Sequence, residues 1–313
     1  MRIVNALIRY ALTLFIASVV IFIALRIIPG NPAEIALGVT ATAESVADLE
    51  AKMGIDQPMW IQYAQWIGGL LRGDLGISLT SGTDISTQIF DRLQVSMILV
   101  ICAMVVSLCI AIPLGMWASY RAHNLDGVII TALSQVGIAV PSFLAAILLV
   151  ATFAIRLDWV PANGWEVPNQ DFGGFLSHLI LPVISLGLVQ GAIMTRYIRG
   201  AILEVMNENF MRTARAKGLS PAQALRAHGL RNAALPVITV LGLQLTSLLI
   251  GAVVIEKVFV IPGLGSLLLT AVTNRDLPTV QTIVMILVIF AVVVNALVDV
   301  TYALVDPRTR RSV

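Results

Sequence analysis

Long apolar runs separated by short polar stretches dominate the chain. Six runs stand out, at about residues 11–28, 95–118, 128–155, 176–195, 233–255 and 280–298. The second, third and fifth carry no charged side chain over more than 20 positions. A helix needs roughly 20 apolar residues to cross a hydrocarbon core about 30 Å thick. Backbone polar groups must be satisfied within such a segment, so spans are helices or closed barrels, and unbroken apolar runs without period-two alternation predict helices. The predicted fold is an all-α integral membrane bundle of six transmembrane helices, with both termini on one side.

Between the first two runs the pattern changes. Residues 44–53 are polar and helix-compatible, Gly54 supplies a stop and Pro58 opens a second helix. In that second helix Trp60, Ala64, Ile67 and Leu71 share one face, and Tyr63 and Trp66 add amphipathic rings. The predicted domains are an N-terminal transmembrane helix (1–29), an external helical insertion (30–93), a membrane core (94–306) and a basic tail (307–313). The insertion helix is expected to pack on the bundle.

Composition agrees with the class: 58% of residues are hydrophobic and 12% charged. Charge then sets orientation. Residues 1–10, 119–127, 196–235 and 299–313 hold 13 basic and 5 acidic side chains, and the segments on the other side hold 7 and 13, which together account for all 20 and 18. Long loops translocate regardless of charge, and without residues 26–94 the basic count becomes 13 against 3. Both termini are therefore expected to face the cytoplasm. The first run, which follows Arg2 and Arg9, is read as an uncleaved anchor, because no small-x-small site follows Leu25. Cys102 and Cys109 lie seven residues apart, about 10 Å along a helix, too far to bridge.

Catalytic motifs are missing. The chain has no phosphate loop, HExxH or GxSxG, and His123, His178 and His228 are scattered without metal-ligand spacing. No metal site and no catalytic residue is expected. The one carboxylate close to a span is Asp299, read as interfacial, which speaks against an ion-coupled secondary transporter.

One polar stretch, residues 209–236, carries its own folding signals. Leu203, Met206, Phe210 and Ala214 recur at spacings of three and four and predict one apolar stripe, with Arg212 and Arg215 on other faces. Gly218 ends that helix, and Ser220-Pro221-Ala222-Gln223 forms a capping-box start for a second short helix. A solvated linker needs neither device, and a DNA-reading element tethered to a bilayer at both ends is poorly placed. A docking surface for a cytoplasmic partner remains, with Ala214, Ala216 and Gly218 permitting close approach and basic residues orienting the partner. A second stretch, residues 258–272, is apolar but interrupted by Pro262, Gly263 and Gly265. It predicts a partly buried hairpin at the outer end of the fifth helix. This is a candidate outer gate or pathway wall, or equally a structural plug.

At these residues the chain resembles a known family. TARAKGL at Thr213 to Leu219, followed by His228, Arg231-Asn232 and Leu235-Pro236, looks like the ATPase-coupling loop of ABC-importer permeases of the dipeptide, oligopeptide and nickel group. The general loop reads Glu-Ala-Ala, three residues, Gly. Here Arg212 and Thr213 replace the Glu and first Ala, while Ala214 and Gly218 match. GIDQPMWIQYAQWIGGLLRGDLGISL (Gly54–Leu79), EKVFVIPGLGSLLLTAVTNRDLP (Glu256–Pro278) and NALVDVTYALVDPRTR (Asn295–Arg310) are similar to the same pattern, so the likeness covers nearly the whole chain.

The resemblance implies a six-helix type I ABC-importer permease in the prokaryotic cytoplasmic (inner) membrane, one membrane-spanning subunit that passes short peptides. Nickel or another small solute is the alternative cargo, and an ion-coupled secondary transporter the remote one. Implied partners are a second homologous permease subunit, two ABC ATPase subunits or one fused ATPase, and an extracytoplasmic substrate-binding protein. ATP and Mg would be bound by the ATPase partners, with no cofactor in this chain. The implied coupling residues are Phe210, Arg212, Thr213, Ala214, Arg215, Ala216, Lys217, Gly218, Leu219, His228, Arg231 and Asn232. Those of the gate are Glu256, Pro262, Gly263 and Gly265.

Overall fold

A computed structural model describes residues 2–27, 31–38 and 41–305, and among these the secondary structure is helical apart from one isolated bridge between Ile77 and Asp84. In chain order the helices are α1 (Arg2–Ile27), α2 (Pro32–Leu37), α3 (Ala43–Met53), α4 (Met59–Arg72), α5 (Ile85–Tyr120), α6 (Leu125–Ala139), α7 (Ser142–Leu149), α8 (Phe172–Met206), α9 (Asn209–Ala216), α10 (Pro221–Ala224), α11 (Leu230–Val258), α12 (Leu264–Thr273) and α13 (Leu277–Val305). Segments of π-helix, Val150–Arg156 and Leu225–Gly229, extend α7 and join α10 to α11. Five helices are long and apolar enough to cross a bilayer, and a bent pair makes a sixth crossing if taken as one. The predicted tail, 307–313, lies outside the described residues.

Three features differ from the sequence pattern. The third apolar run is two helices bent by 97° rather than one continuous helix. Val140 and Pro141 between them are both extended (ψ 119° and 140°). Proline disfavours helical backbone in the residue before it and cannot donate to the carbonyl four back, so the run breaks outright. Pro113, Pro182 and Pro236, by contrast, sit inside unbroken helices. Second, the short helix expected after Ser220 is the first turn of an unbroken run, Pro221–Val258, that includes the fifth span. Third, α8 has 35 residues and is about 52 Å long, well beyond the thickness of the bilayer core.

The chain forms two compact units. One comprises Ser96–Ile261 and Val293–Val313. Its centre is α8, which packs on α6, α7 and α11. Small residues set the approach: a Cβ added at Gly187 would lie 2.8 Å from Val106 Cγ1 of α5. Helices in lipid gain most of their association from such close van der Waals contact.

The other unit comprises Met1–Val95 and Pro262–Val292. Here α3 begins at a Thr42–Ser45 capping box and ends at Gly54, whose φ is +65°. The face of α4 that packs is the aromatic one. Phe22 of α1 meets Tyr63 edge-on at 5.4 Å and stacks on Trp66 at 6.3 Å, and Ser18 Oγ lies 2.8 Å from the Tyr63 hydroxyl. Trp60, Ala64 and Leu71, expected to share the apolar face, are exposed. Ile85, Ile89, Leu264, Leu267 and Ile283 form this unit's apolar core.

Candidate functional site

The polar stretch after α8 folds by local rules. α8 stops at Met206, Asn207 and Glu208 form a break, and α9 restarts at Asn209. That break rotates the apolar pattern, so the predicted stripe through Phe210 does not form. Of its members Ala214 does turn inward, but with Met211 beside it, whereas Phe210 is exposed. Met211, Ala214, Ala224 and Leu225 join Ile198, Ile202 and Val205 of α8 in one buried cluster. Complete burial of Met211 anchors α9 against the end of α8, worth about 2–5 kcal/mol relative to alanine.

The turn after α9 depends on glycine. Gly218 has φ +92°, its N–H donates to Arg215 O at 3.0 Å, and Leu219 N–H donates to Ala214 O at 3.4 Å. A side chain in that conformation costs about 1 kcal/mol. A Cβ at Gly218 would meet no atom of the chain within 4 Å, so the space beside it is open. The expected capping box follows: Ser220 N–H donates to Gln223 Oε1 at 2.9 Å, and Gln223 N–H donates to Ser220 Oγ at 3.3 Å.

Together these elements frame a groove of about 530 Å³. Phe210, Thr213, Ala214, Lys217 and Leu219 line one wall, and Ala227, His228, Arg231 and Asn232 the other. Eight of these nine are among the expected coupling residues. Arg212, Arg215, Ala216 and Gly218 are exposed but do not line it. Asn232 Nδ2 donates to His228 O at 3.2 Å, and Thr213 Oγ1 to Asn209 O at 3.0 Å, which fixes both walls internally. A shallow groove with an apolar floor and a basic rim suits a folded partner carrying acidic and small apolar side chains.

The candidate gate segment falls across the unit boundary, between Ile261 and Pro262. On one side Glu256 lies inside α11 rather than beyond it, and is 1% exposed. Its Oε1 accepts from Ser96 Oγ at 2.5 Å, and its backbone carbonyl accepts from Ile261 N–H at 2.8 Å. Asp299 is therefore not the one carboxylate close to a span. On the other side Gly263 precedes α12 and Gly265 lies within it, so the expected irregular hairpin is mostly helix. Fifteen residues are too few to span but enough for a turn and ten helical positions.

Several polar positions escaped the sequence reading. Asp276 is 3% exposed and accepts from Ser78 Oγ at 2.5 Å, Leu79 N–H at 3.1 Å and Thr279 Oγ1 at 2.8 Å. Tyr302 donates to Leu235 O at 3.0 Å and also meets Thr239 Oγ1, which ties α13 to the first turns of α11. Gln190 Nε2 donates to Gln244 Oε1 at 2.8 Å across α8 and α11. Apart from Thr279 and Asp276, these pairings join residues from 54 to 198 positions apart and leave no local spacing to find. Among the described residues no group of three or more His, Cys, Asp or Glu could hold a metal ion.

Comparison with known proteins decides the family. Residues 111–311 match the model of the binding-protein-dependent transport system inner membrane component, and residues 1–100 match that of the N-terminal part of such components. This chain belongs to that family. It is a multi-pass inner membrane protein and a permease. It is 36% identical over 293 residues to a "Probable peptide ABC transporter permease protein" of Sinorhizobium fredii, covering 94% of each chain. An oligopeptide transport system permease protein of Bacillus subtilis is 35% identical over 294 residues, covering 93% of each. A glutathione transport system permease protein of Escherichia coli is 35% identical over 301 residues, covering 95% of each. A crystal structure of an amino acid ABC transporter with histidines shares the permease fold, with a TM-score of 0.55 at 15% identity over 69% of this chain and 93% of that one.

Proposed function

We propose that this permease forms, with a second homologous permease subunit, the membrane pathway of an ATP-binding-cassette importer for short peptides. Its likeness over nearly full length to permeases named for peptides, oligopeptides and glutathione supports the cargo class. The groove over α9 and the π-helical turn carries the mechanism. In this reading an ATPase subunit docks there, against Phe210, Thr213, Ala214, Leu219 and His228, with Arg212, Arg215, Lys217 and Arg231 on the rim. Two ATPase subunits, or one fused ATPase, bind ATP and Mg and carry all hydrolysis. An extracytoplasmic binding protein delivers peptide to the opposite side.

Both termini and the groove then face the cytoplasm, and residues 30–93 face outward. The chain itself catalyses nothing. Because α9 is held on α8 by buried Met211 and Ala214, displacement of the docked groove moves whole helices. ATP-driven closure rocks the bundle between outward-open and inward-open states, a shift between two arrangements that make different contacts. Glu256, Pro262, Gly263 and Gly265 belong to the outer gate in this scheme.

Reconstitution of the permease pair in vesicles, with and without the ATPase subunits, tests this reading. Peptide uptake is expected only with the ATPases and ATP. Uptake that persists without them and collapses with the ion gradient would identify a secondary transporter instead.

A further inference from the structure

Within the unit formed by residues 1–95 and 262–292, a cavity of about 230 Å³ is walled by α1, α4, the turn at residues 74–76 and the start of α13. Its wall is polar in an unusual way. Gln281, 6% exposed, lines it and makes no side-chain hydrogen bond among the described residues. Arg26 Nε, Gln62 Oε1 and Trp66 Nε1 are shielded from solvent and also unpartnered. Among the described residues Arg26 bonds no carboxylate or carbonyl, and its guanidinium lies 5.0 Å from the Phe22 ring centre. Buried polar groups in native proteins are overwhelmingly paired, and each one left unpaired costs about 1–3 kcal/mol. Three such groups on one wall, with the Gln281 amide beside them, are a cluster that folding alone does not explain.

The charges add a second observation. Asp74 lines the same cavity as Arg26, yet no ion pair joins them. One Asp74 oxygen accepts from Gly76 N–H at 2.9 Å, which fixes the carboxylate and leaves its other oxygen available. A larger cleft of about 800 Å³ shares Arg26, Asp74, Gly76, Leu277 and Pro278 with the small cavity. Opposite charges held apart beside a small cavity, with more room next to it, match a small ligand that carries both charges itself.

We infer that this cavity binds the zwitterionic end groups of a short peptide, with the carboxylate at Arg26, the Trp66 indole N–H and the Gln281 amide, and the ammonium at Asp74 and Gln62 Oε1. The inference rests on the peptide-importer reading and places a peptide contact on this chain itself. Guanidinium donors are suited to carboxylate by geometry, and charge-assisted bonds are about twice as strong as neutral ones.

The test is isothermal titration of the full-length chain in lipid nanodiscs with dialanine, dialanine amide and N-acetyl-dialanine. Dialanine is expected to bind roughly tenfold more tightly than either capped form, the change that follows from losing one charge-assisted contact. Arg26→Gln should abolish the preference for the free acid while keeping that for the free amine, and Asp74→Asn should do the reverse. Gln281→Leu should weaken dialanine binding and raise the melting temperature, because a buried unpaired amide is removed; a residue of structural value alone would lower it. Absence of saturable binding, meaning structural water only, overturns the inference, as do preferences that survive both charge variants. Peptide uptake by the assembled importer that is indifferent to Arg26→Gln would also overturn this site and leave the importer reading intact. Dialanine binding with these preferences but no uptake by any assembly would overturn the importer reading and leave the site.

Discussion

The groove around Gly218 and the cluster around Asp276 treat polar groups in opposite ways. At the groove the charged side chains Arg212, Arg215, Lys217 and Arg231 stay in solvent, and only apolar groups such as Met211, Ala214 and Leu225 are buried. At Asp276 the carboxylate itself is buried and held by three donors from two distant parts of the chain. Exposed charge contributes little to stability, whereas a buried carboxylate stabilises only while its donors stay in place. The first region leaves its charges open to another surface, as the proposed docking requires, and the second holds its own unit closed.

Substitutions at four positions sharpen that contrast. Gly218→Trp should have the largest effect on transport, with peptide-driven uptake falling at least about tenfold while ATP hydrolysis continues. Its backbone cost is only about 1 kcal/mol, which Gly218→Ala shares, so the alanine variant should keep most uptake. Equal loss in both, measured by uptake per ATP, would place the effect in the turn and not in a docked surface. Asp276→Leu should do the reverse. It strands Ser78 Oγ, Leu79 N–H and Thr279 Oγ1 and should cost about 4 kcal/mol. A melting temperature in detergent unchanged by Asp276→Leu would contradict the clamp.

Met211→Ala should cost about 3 kcal/mol by opening a cavity under the groove floor. Amide exchange across residues 209–216 should speed up, and coupling should weaken although no exposed atom changes. Ser220→Ala is the mildest. Loss of one half of the capping box should cost about 1 kcal/mol, visible as faster exchange at Gln223 N–H and little else.

Much of this was legible in the residues, and the legible part was local. The capping box at Ser220 and Gln223 and the glycine turn at 218 follow from spacings of three residues or fewer, and the apolar runs follow from composition. The stripe through Phe210 failed because two polar residues, Asn207 and Glu208, interrupt the helix and reset its phase. Val140-Pro141 lies inside one apolar run and is a full break, whereas Pro113, Pro182 and Pro236 sit inside unbroken helices. Glu256 and Asp276 could not be read as buried, since the groups that make burial tolerable are 160 and 198 residues away. A one-dimensional pattern carries no record of such partners.

The unbroken run from Pro221 to Val258 has a mechanical consequence. Ser220 caps one end, beside the groove, and Glu256 sits almost at the other, roughly 50 Å away along the axis. A stiff lever of that length has no slack to take up. In the proposed importer, tipping its capped end by a few degrees would swing the glutamate end by ångströms, so a push on the docked groove would reach the gate in the same stroke.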